Sequence, residues 1–262
     1  MPVTVTILGS GSSGNAAVIA TESTCLLLDA GFSRRELLRR LALAGIAVER
    51  LQAVLITHEH GDHVAGLARL AAKFPVPVFL NEKTRAALGA AGEALPRVEH
   101  FATGDSFQIG DIAVTTFAIP HDAADPVGFR FCATGVRIAF VTDLGYLPEN
   151  VRQQLCGADC AVLESNHDLE MLKGGGYPWE LKQRVLGRLG HLSNDTLAEF
   201  LSNGFDGSAA HVVLAHLSEN NNLPDLALLS AERALGQRGG GSAARPKLHV
   251  AQQHEPLAPI VL

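Results

Sequence analysis

The segment Thr57-His58-Glu59-His60-Gly61-Asp62-His63, at the end of the apolar run Ala53 to Thr57, constrains this chain more than any other stretch. Four metal-ligating side chains within six residues cannot share one face of a helix or strand, because those faces repeat about every 3.6 and 2 residues. They converge only if the backbone turns, and Gly61 is the residue that tolerates the turn. His58 and His60, two apart, project from the same side of an extended segment and can chelate one ion. Asp62 and His63 then point to a second ion beside it. A solvated polar turn is the plain alternative.

Two ions need more ligands than one loop supplies, so the ends of other apolar strands are the places to look. His121 follows Ile112 to Ile119, Asp143 ends Ile-Ala-Phe-Val-Thr-Asp, and His216 ends Val-Val-Leu-Ala-His. Each alone fits a capping or turn role at least as well. Taken with the first loop, on one rim, they read better as ligands.

Around these points the chain alternates between strand and helix patterns. Val3 to Leu8, Ala17 to Ala20, Cys25 to Leu28 and Ala53 to Thr57 read as strands. Ser33 caps a helix to about Ala44 with Leu37, Leu38 and Leu41 on one face, and Arg34, Arg35, Arg39 and Arg40 largely on a solvated one. Val64 to Phe74 reads as the next helix. Val98 to Val141 is mostly strand: Ile112 to Ile119, Val127 to Ala133 and Val136 to Val141. Beyond it, Ala161 to Leu163, Val212 to Ala215 and Leu248 to Ala251 are strands. Pro178 to Leu189, Ser193 to Asn203 and Pro224 to Leu235 are helices. Gly236 to Lys247, with a Gly-Gly-Gly-Ser core, reads as a flexible surface loop. No linker divides residues 1–262, and strand-rich stretches flanked by helices predict one domain of two packed sheets covered by helices.

Composition narrows the class. A net charge of −6 disfavours coating nucleic acid through bulk positive charge, though not gripping it at a local site. No apolar run approaches the roughly 18 residues of a membrane helix, and the N-terminus lacks the basic flank of a signal peptide. The expectation is a soluble, cytoplasmic protein. Cys25, Cys132, Cys156 and Cys160 include only one close pair, too few for a structural zinc site, and are expected to be buried thiols.

Several later motifs are narrower than the histidine loop. They are Gly-Ser-Gly-Ser-Ser-Gly-Asn at 9–15, Leu-Leu-Asp-Ala-Gly at 27–31, His-Asp-Ala-Ala-Asp-Pro-Val-Gly-Phe at 121–129 and Thr-Asp-Leu-Gly-Tyr at 142–146. Glu-Ser-Asn-His-Asp at 164–168, Tyr-Pro-Trp at 177–179, Gly-His-Leu-Ser-Asn at 190–194 and Ala-His-Leu-Ser at 215–218 complete the set. With these, the sequence from about Val5 to Leu235 resembles the metallo-β-lactamase fold hydrolases, and within them the bacterial WalJ/VicX/YycJ group. The tail after Arg238 resembles nothing known to us. The resemblance implies an α/β αββα sandwich of two mixed β-sheets flanked by helices, with the metal site at one edge. It implies His58, His60 and His121 on one divalent ion, Asp62, His63 and His216 on the other, and Asp143 bridging. Asp29 is expected to support the ligand loop. The ions are Zn²⁺ or Mn²⁺, since these ligands suit either.

The implied activity is a two-metal phosphodiesterase or nuclease, most simply a 5′-to-3′ exonuclease on DNA rather than RNA. A hydrolase of a small ester, thioester or cyclic phosphodiester, and a non-catalytic regulatory protein, remain alternatives. A paired-metal site needs no nucleophilic side chain, and no Gly-x-Ser-x-Gly elbow is present. Asp62 is placed to accept a proton from water. His191 is the candidate donor to the leaving alkoxide, in a segment similar to the Gly-His-Ser-Thr element of ribonuclease Z relatives. Ser12, Ser13 and Asn15 can offer hydroxyls and N–H groups to a terminal phosphate, or form a tight turn. His167 fits substrate contact and structural hydrogen bonding equally. Lys173, Lys182, Arg184 and Arg188 are candidates to steer a polyanion. His100, His211, His249 and His254 carry no assigned role.

Overall fold

The computed structural model describes residues 2–237 and 245–262. The chain runs through strands β1 (Thr4–Gly9), β2 (Ala16–Ala20) and β3 (Cys25–Leu28), helix α1 (Arg34–Leu43), strand β4 (Ala53–Leu55), and helices α2 (Gly61–Val64) and α3 (Leu67–Lys73). Strand β5 (Val78–Leu80), helices α4 (Glu82–Ala87) and α5 (Ala90–Glu93), and strand β6 (Val98–His100) follow. Next come β7 (Ser106–Ile109), β8 (Ile112–Ala118), β9 (Val127–Ala133), β10 (Val136–Val141), α6 (Glu149–Leu155) and β11 (Cys160–Glu164). The last part holds α7 (Leu169–Gly174), α8 (Trp179–Leu186), α9 (Asn194–Asn203), β12 (His211–Ala215), α10 (Pro224–Gln237), β13 (Lys247–Val250) and β14 (Ile260–Val261).

The strands form two seven-stranded sheets, ordered β14-β1-β2-β3-β4-β5-β6 and β13-β12-β11-β10-β9-β8-β7. Each sheet is mixed. β1 to β3 are antiparallel and β3 to β6 parallel; β7 to β10 are antiparallel and β10 to β13 parallel. The strand residues sort by parity, as a pleated backbone requires. In β3, Leu26 and Leu28 join the core between the sheets, with Val5, Ile7, Val114, Phe129, Phe131 and Val162. Leu27 points the other way, to Leu37 and Leu41 of α1 and Leu67 and Leu70 of α3. In β11, Val162 faces inward while Ala161 and Leu163 meet Leu197 and Phe200 of α9 and Ala231 of α10. Both faces of these strands are buried, which is why they read as unbroken apolar runs. The expected αββα sandwich is the fold. No helix among the described residues is long and apolar enough to cross a membrane.

The sequence reading departs from the structure in several places. The helix expected over Val64 to Phe74 is two helices with Gly66 between them. A Cβ at Gly66 would sit 2.1 Å from the Phe32 carbonyl oxygen, and its N–H donates to Ala30 O, so the chain is pinned there. Strands β5 and β14 and helices α4 to α7 were not foreseen; most are too short to show a period. Gly236 and Gln237 belong to α10 and Lys247 to β13, while 238–244 of the Gly-rich stretch lie outside the described residues. Arg40 is buried rather than solvated: Nη1 donates to the carbonyls of Leu8 and Gln253, and Nε pairs with Glu36. Of the four free cysteines only Cys25 and Cys160 are buried; Cys132 and Cys156 are exposed.

Candidate metal centre

The parallel strands set the rim. Because β10, β11 and β12 run in the same direction and in register, Asp143, Glu164 and His216 all emerge at their carboxyl ends. The same holds for β3 and β4, where the Asp29 N–H bonds Leu55 O across to the strand that feeds the histidine loop. Asp29, Asp143 and His216 have φ of 58°, 63° and 55°. Such left-handed conformations cost about 1–3 kcal/mol each in non-glycine residues and persist where the surroundings over-determine them. Each turns its side chain out of the strand direction and over the rim. Gly31 lets the loops after β3 and β4 close on each other, since a Cβ there would lie 1.7 Å from the Asp62 carbonyl oxygen.

Three groups of candidate donors result: two are the expected sets, and the third, Asp143, Glu164, His191 and His216, shares Asp143 and His216 with the second. His58, His60 and His121 each offer a nitrogen, and Asp62, His63, Asp143 and His216 each offer an atom; within each set these lie within 4.8 Å of one another. His121 Nε2 is 3.2 Å from His60 Nδ1, while its Nδ1 donates to Gly190 O at 3.2 Å. His63 Nε2 lies 3.4 Å from Asp143 Oδ2, and His216 Nε2 lies 3.2 Å from Asp143 Oδ1 and 3.3 Å from Asp62 Oδ2. Asp143 groups with the second set. Its charge also reaches the first set, where it opposes the lowering that burial imposes on His58 and His121.

The nitrogen that each supporting contact leaves free is the one turned to the centre. Asp29 is a clamp as expected: Oδ2 holds His63 Nδ1 at 2.8 Å, and Oδ1 accepts from the Thr57 N–H at 2.9 Å. The Thr57 hydroxyl lies 3.0 Å from His58 Nδ1. His58 Nε2 and Asp143 Oδ2 are buried with no hydrogen-bond partner among the described residues. Buried polar atoms are rarely left so, and one explanation is an ion that the protein is built to hold. A donor set of imidazoles and carboxylates, with two such orphaned atoms, fits divalent transition metals.

Charge is balanced tightly here. Burial opposes a proton on His63, but the carboxylates of Asp143 and Asp29 outweigh it and raise its pKa well above the usual imidazole value. Burial likewise opposes a proton on His216, yet Asp143, Asp62 and Glu164 bring it up to about 10. Burial, and then His63, push His58 well down. For Asp62 burial works against ionisation, but hydrogen bonds from His216 and His63 hold it far below the ordinary range.

One residue of this site is not visible in a pattern of His and Asp at strand ends. Glu164 is fully buried at the end of β11. Its Oε1 lies 2.8 Å from His191 Nδ1 and 2.9 Å from His216 Nδ1, and Oε2 accepts the N–H groups of Leu144 and Leu192. These partners overcome burial and hold its carboxyl at about 2. The signal of Glu164 in the sequence is the same as that of those His and Asp residues, an ionisable residue closing the apolar run Cys160 to Leu163. His191 stacks on His216 with ring centres 5.1 Å apart and remains partly exposed. It faces a cleft of about 370 Å³ that His60, Asp62, Asp143, Tyr177 and Arg184 also line.

The other candidates sort as follows. Asn15 uses both ends of its amide locally: Oδ1 accepts from Ser10 and the Gly11 N–H, and Nδ2 donates to Gly11 O and faces Asp62. It positions the ligand loop. The Ser13 N–H and hydroxyl donate to Gln253 and Glu219, whereas Ser12 lines the cleft. His167 is buried beside Asn166 and lies outside the cleft. Arg184 pairs with Asp122 at the cleft wall, Lys173 pairs with Glu170, and Lys182 donates to Lys173 O.

Comparison with known proteins agrees with this geometry. Residues 24–217 match the beta-lactamase superfamily domain. The chain is 37% identical over 245 residues, 93% of its length and 93% of the relative's, to the exodeoxyribonuclease YycJ of Bacillus anthracis. It is 38% identical over 235 residues, 88% of its length and 87% of the relative's, to the exodeoxyribonuclease WalJ of Streptococcus pneumoniae serotype 2 strain D39. The metallo-beta-lactamase fold protein YhfI of Bacillus subtilis superposes with a TM-score of 0.74 at 15% identity, over 98% of this chain and 99% of that one. The chain therefore belongs to the metallo-β-lactamase fold family, in the group of YycJ and WalJ.

Proposed function

We propose that this protein is a metal-dependent exonuclease that removes nucleotides from DNA in the 5′-to-3′ direction. The observation that carries this reading is the pair of donor sets beside a Glu164–His191 dyad, on a chain similar over 93% of its length to an exodeoxyribonuclease. His58, His60 and His121 would hold one divalent ion, and Asp62, His63 and His216 the other, with Asp143 shared; zinc and manganese both suit these ligands. Such a pair, when bound, polarises a phosphodiester and neutralises its charge.

The chain's own residues then have separable tasks. Hydrolysis forms one P–O bond to a water oxygen and breaks the P–O3′ bond. Asp62, partly open to the cleft, takes the water's proton. His191 carries the proton the leaving O3′ needs, with Nδ1 fixed on Glu164 so that Nε2 is the atom left to donate. Arg184, paired with Asp122, offers N–H donors at the cleft wall, and Ser12 an exposed hydroxyl. The chain would act in the cytoplasm, where its free thiols are stable.

The test is digestion of end-labelled single- and double-stranded DNA and RNA, with and without a 5′ phosphate, beside bis-nitrophenyl phosphate and simple esters. Stepwise loss of 5′ nucleotides from DNA is expected. Turnover of esters with none of nucleic acids would replace the nuclease with a small-molecule hydrolase.

A further inference from the structure

His191 forms part of two walls. On one side is the 370 Å³ cleft of the donor sets; on the other is a separate cavity of about 210 Å³ between α7, α8 and α9. We propose that this second cavity receives the base of the 5′-terminal deoxynucleotide and favours bases that carry an exocyclic amino group. The proposal rests on the exonuclease reading, because it follows from where that reaction puts its leaving group.

In 5′-to-3′ hydrolysis the leaving atom is O3′ of the terminal nucleotide, and the group that protonates it must touch it. The departing sugar and base therefore lie on the His191 side of the scissile phosphate. The cavity beyond His191 is smaller than the roughly 300 Å³ at which drug-sized pockets begin, a scale suited to a single ring system. Leu169 and Leu186 give it apolar wall, and Leu186 is 41% exposed, a large side chain with nothing over it among the described residues.

The polar lining points to a donor-bearing ligand. His167 lines the cavity and is only 1% exposed, yet its Nε2 has no hydrogen-bond partner among the described residues. Asn166 donates its amide N–H to His216 O, so its Oδ1 faces His167 and must accept from Nδ1. Burial keeps the His167 ring neutral, with its pKa down at about 4. With the proton on Nδ1, Nε2 is left as an unsatisfied buried acceptor. Asp195 and Glu199, exposed at the same cavity, also accept hydrogen bonds and repel phosphate. A cavity offering acceptors and negative charge selects an amino-bearing base and rejects the sugar–phosphate backbone. Adenine, cytosine and guanine carry such a group; thymine does not.

Two measurements test this. The first compares kcat/KM for single-stranded oligonucleotides that differ only in a 5′-terminal dC, dT or abasic residue. The wild type should favour dC over dT and over the abasic end by about tenfold, the scale of one satisfied hydrogen bond. In His167→Ala, and in Glu199→Lys at the exposed rim where folding is not at risk, that ratio should fall to near one. Equal rates on all three ends in the wild type, or a ratio unchanged in both variants, would overturn the proposal. The second is independent of cleavage: deoxycytidine, and not deoxythymidine, should shift the NMR resonances of the His167 ring. Absence of that shift rejects the subsite whether or not DNA is cut. A shift in a protein that cuts no DNA would keep the subsite and reject the exonuclease reading.

Discussion

Glu164 Oε1 lies 2.8 Å from His191 Nδ1, and the same oxygen lies 2.9 Å from His216 Nδ1. One buried carboxylate thus orients both the candidate acid and a candidate metal ligand. Glu164→Gln keeps an oxygen for the Leu144 and Leu192 N–H groups but removes the charge shared by the two rings. Partners of metal-ligating histidines typically contribute about 10–100-fold to activity or metal affinity. Steady-state rates and elemental analysis of Glu164→Gln should show a loss in that range. Wild-type rates with full metal content would remove Glu164 from the mechanism.

His191 is separable from the ligands. His191→Ala should keep its metal and lose about 10²–10⁴-fold on DNA, the usual worth of general acid catalysis. The defect should shrink sharply on bis-nitrophenyl phosphate, whose leaving group needs little protonation, whereas His60→Ala should harm both substrates. An equal loss of His191→Ala on both would show that the ring positions substrate instead of donating a proton.

Metal content tests the shared role of Asp143. The wild type should carry close to two divalent ions per chain, and Asp143→Ala should disturb both. Asp143 lies 3.4 Å and 3.2 Å from the second-set nitrogens of His63 and His216 while its charge acts on His58 of the first. Retention of one tightly held ion in Asp143→Ala would assign the carboxylate to a single site.

The metal-free protein should have a marked pH dependence. The folded-state pKa of His216, about 10, lies above the ordinary 6.5, so its stabilising contribution is complete below pH 6.5 and lost as pH rises towards 10. For Glu164, held at about 2 against an ordinary 4.5, the contribution is complete above 4.5 and lost as pH falls towards 2. Metal binding must displace the His216 proton, so affinity should climb across the same alkaline window. Thermal melts of chelator-treated protein should fall between pH 7 and 10, and added zinc should oppose the fall. A flat profile over that range would mean that His216 is neutral without metal.

The sequence by itself determined the parts of this protein that are local along the chain. The 57–63 loop is legible because its donors are within six residues of each other, so no long-range pairing is needed to bring them together. His121, Asp143 and His216 were legible for a related reason: each lies one to three residues past the end of a largely apolar strand, where the chain leaves the sheet at the rim. The family motifs added Asp29, which supports the 57–63 loop through Thr57 and His63.

Tertiary structure decided which strand ends meet. The contact of His216 with Asp62 spans 154 residues, and that of Gln253 with Ser13 spans 240; both depend on sheet order, which periodicity within a strand does not encode. The burial of Arg40, whose spacing suits a solvated helix face, depends on Leu8 and Gln253 arriving beside it. Glu164 reads as one more acidic residue until the parallel pairing of β10, β11 and β12 sets it between His191 and His216. A side chain's chemistry is fixed by its type, but its partners are fixed by backbone pairings between distant segments, and those exist only in the folded chain.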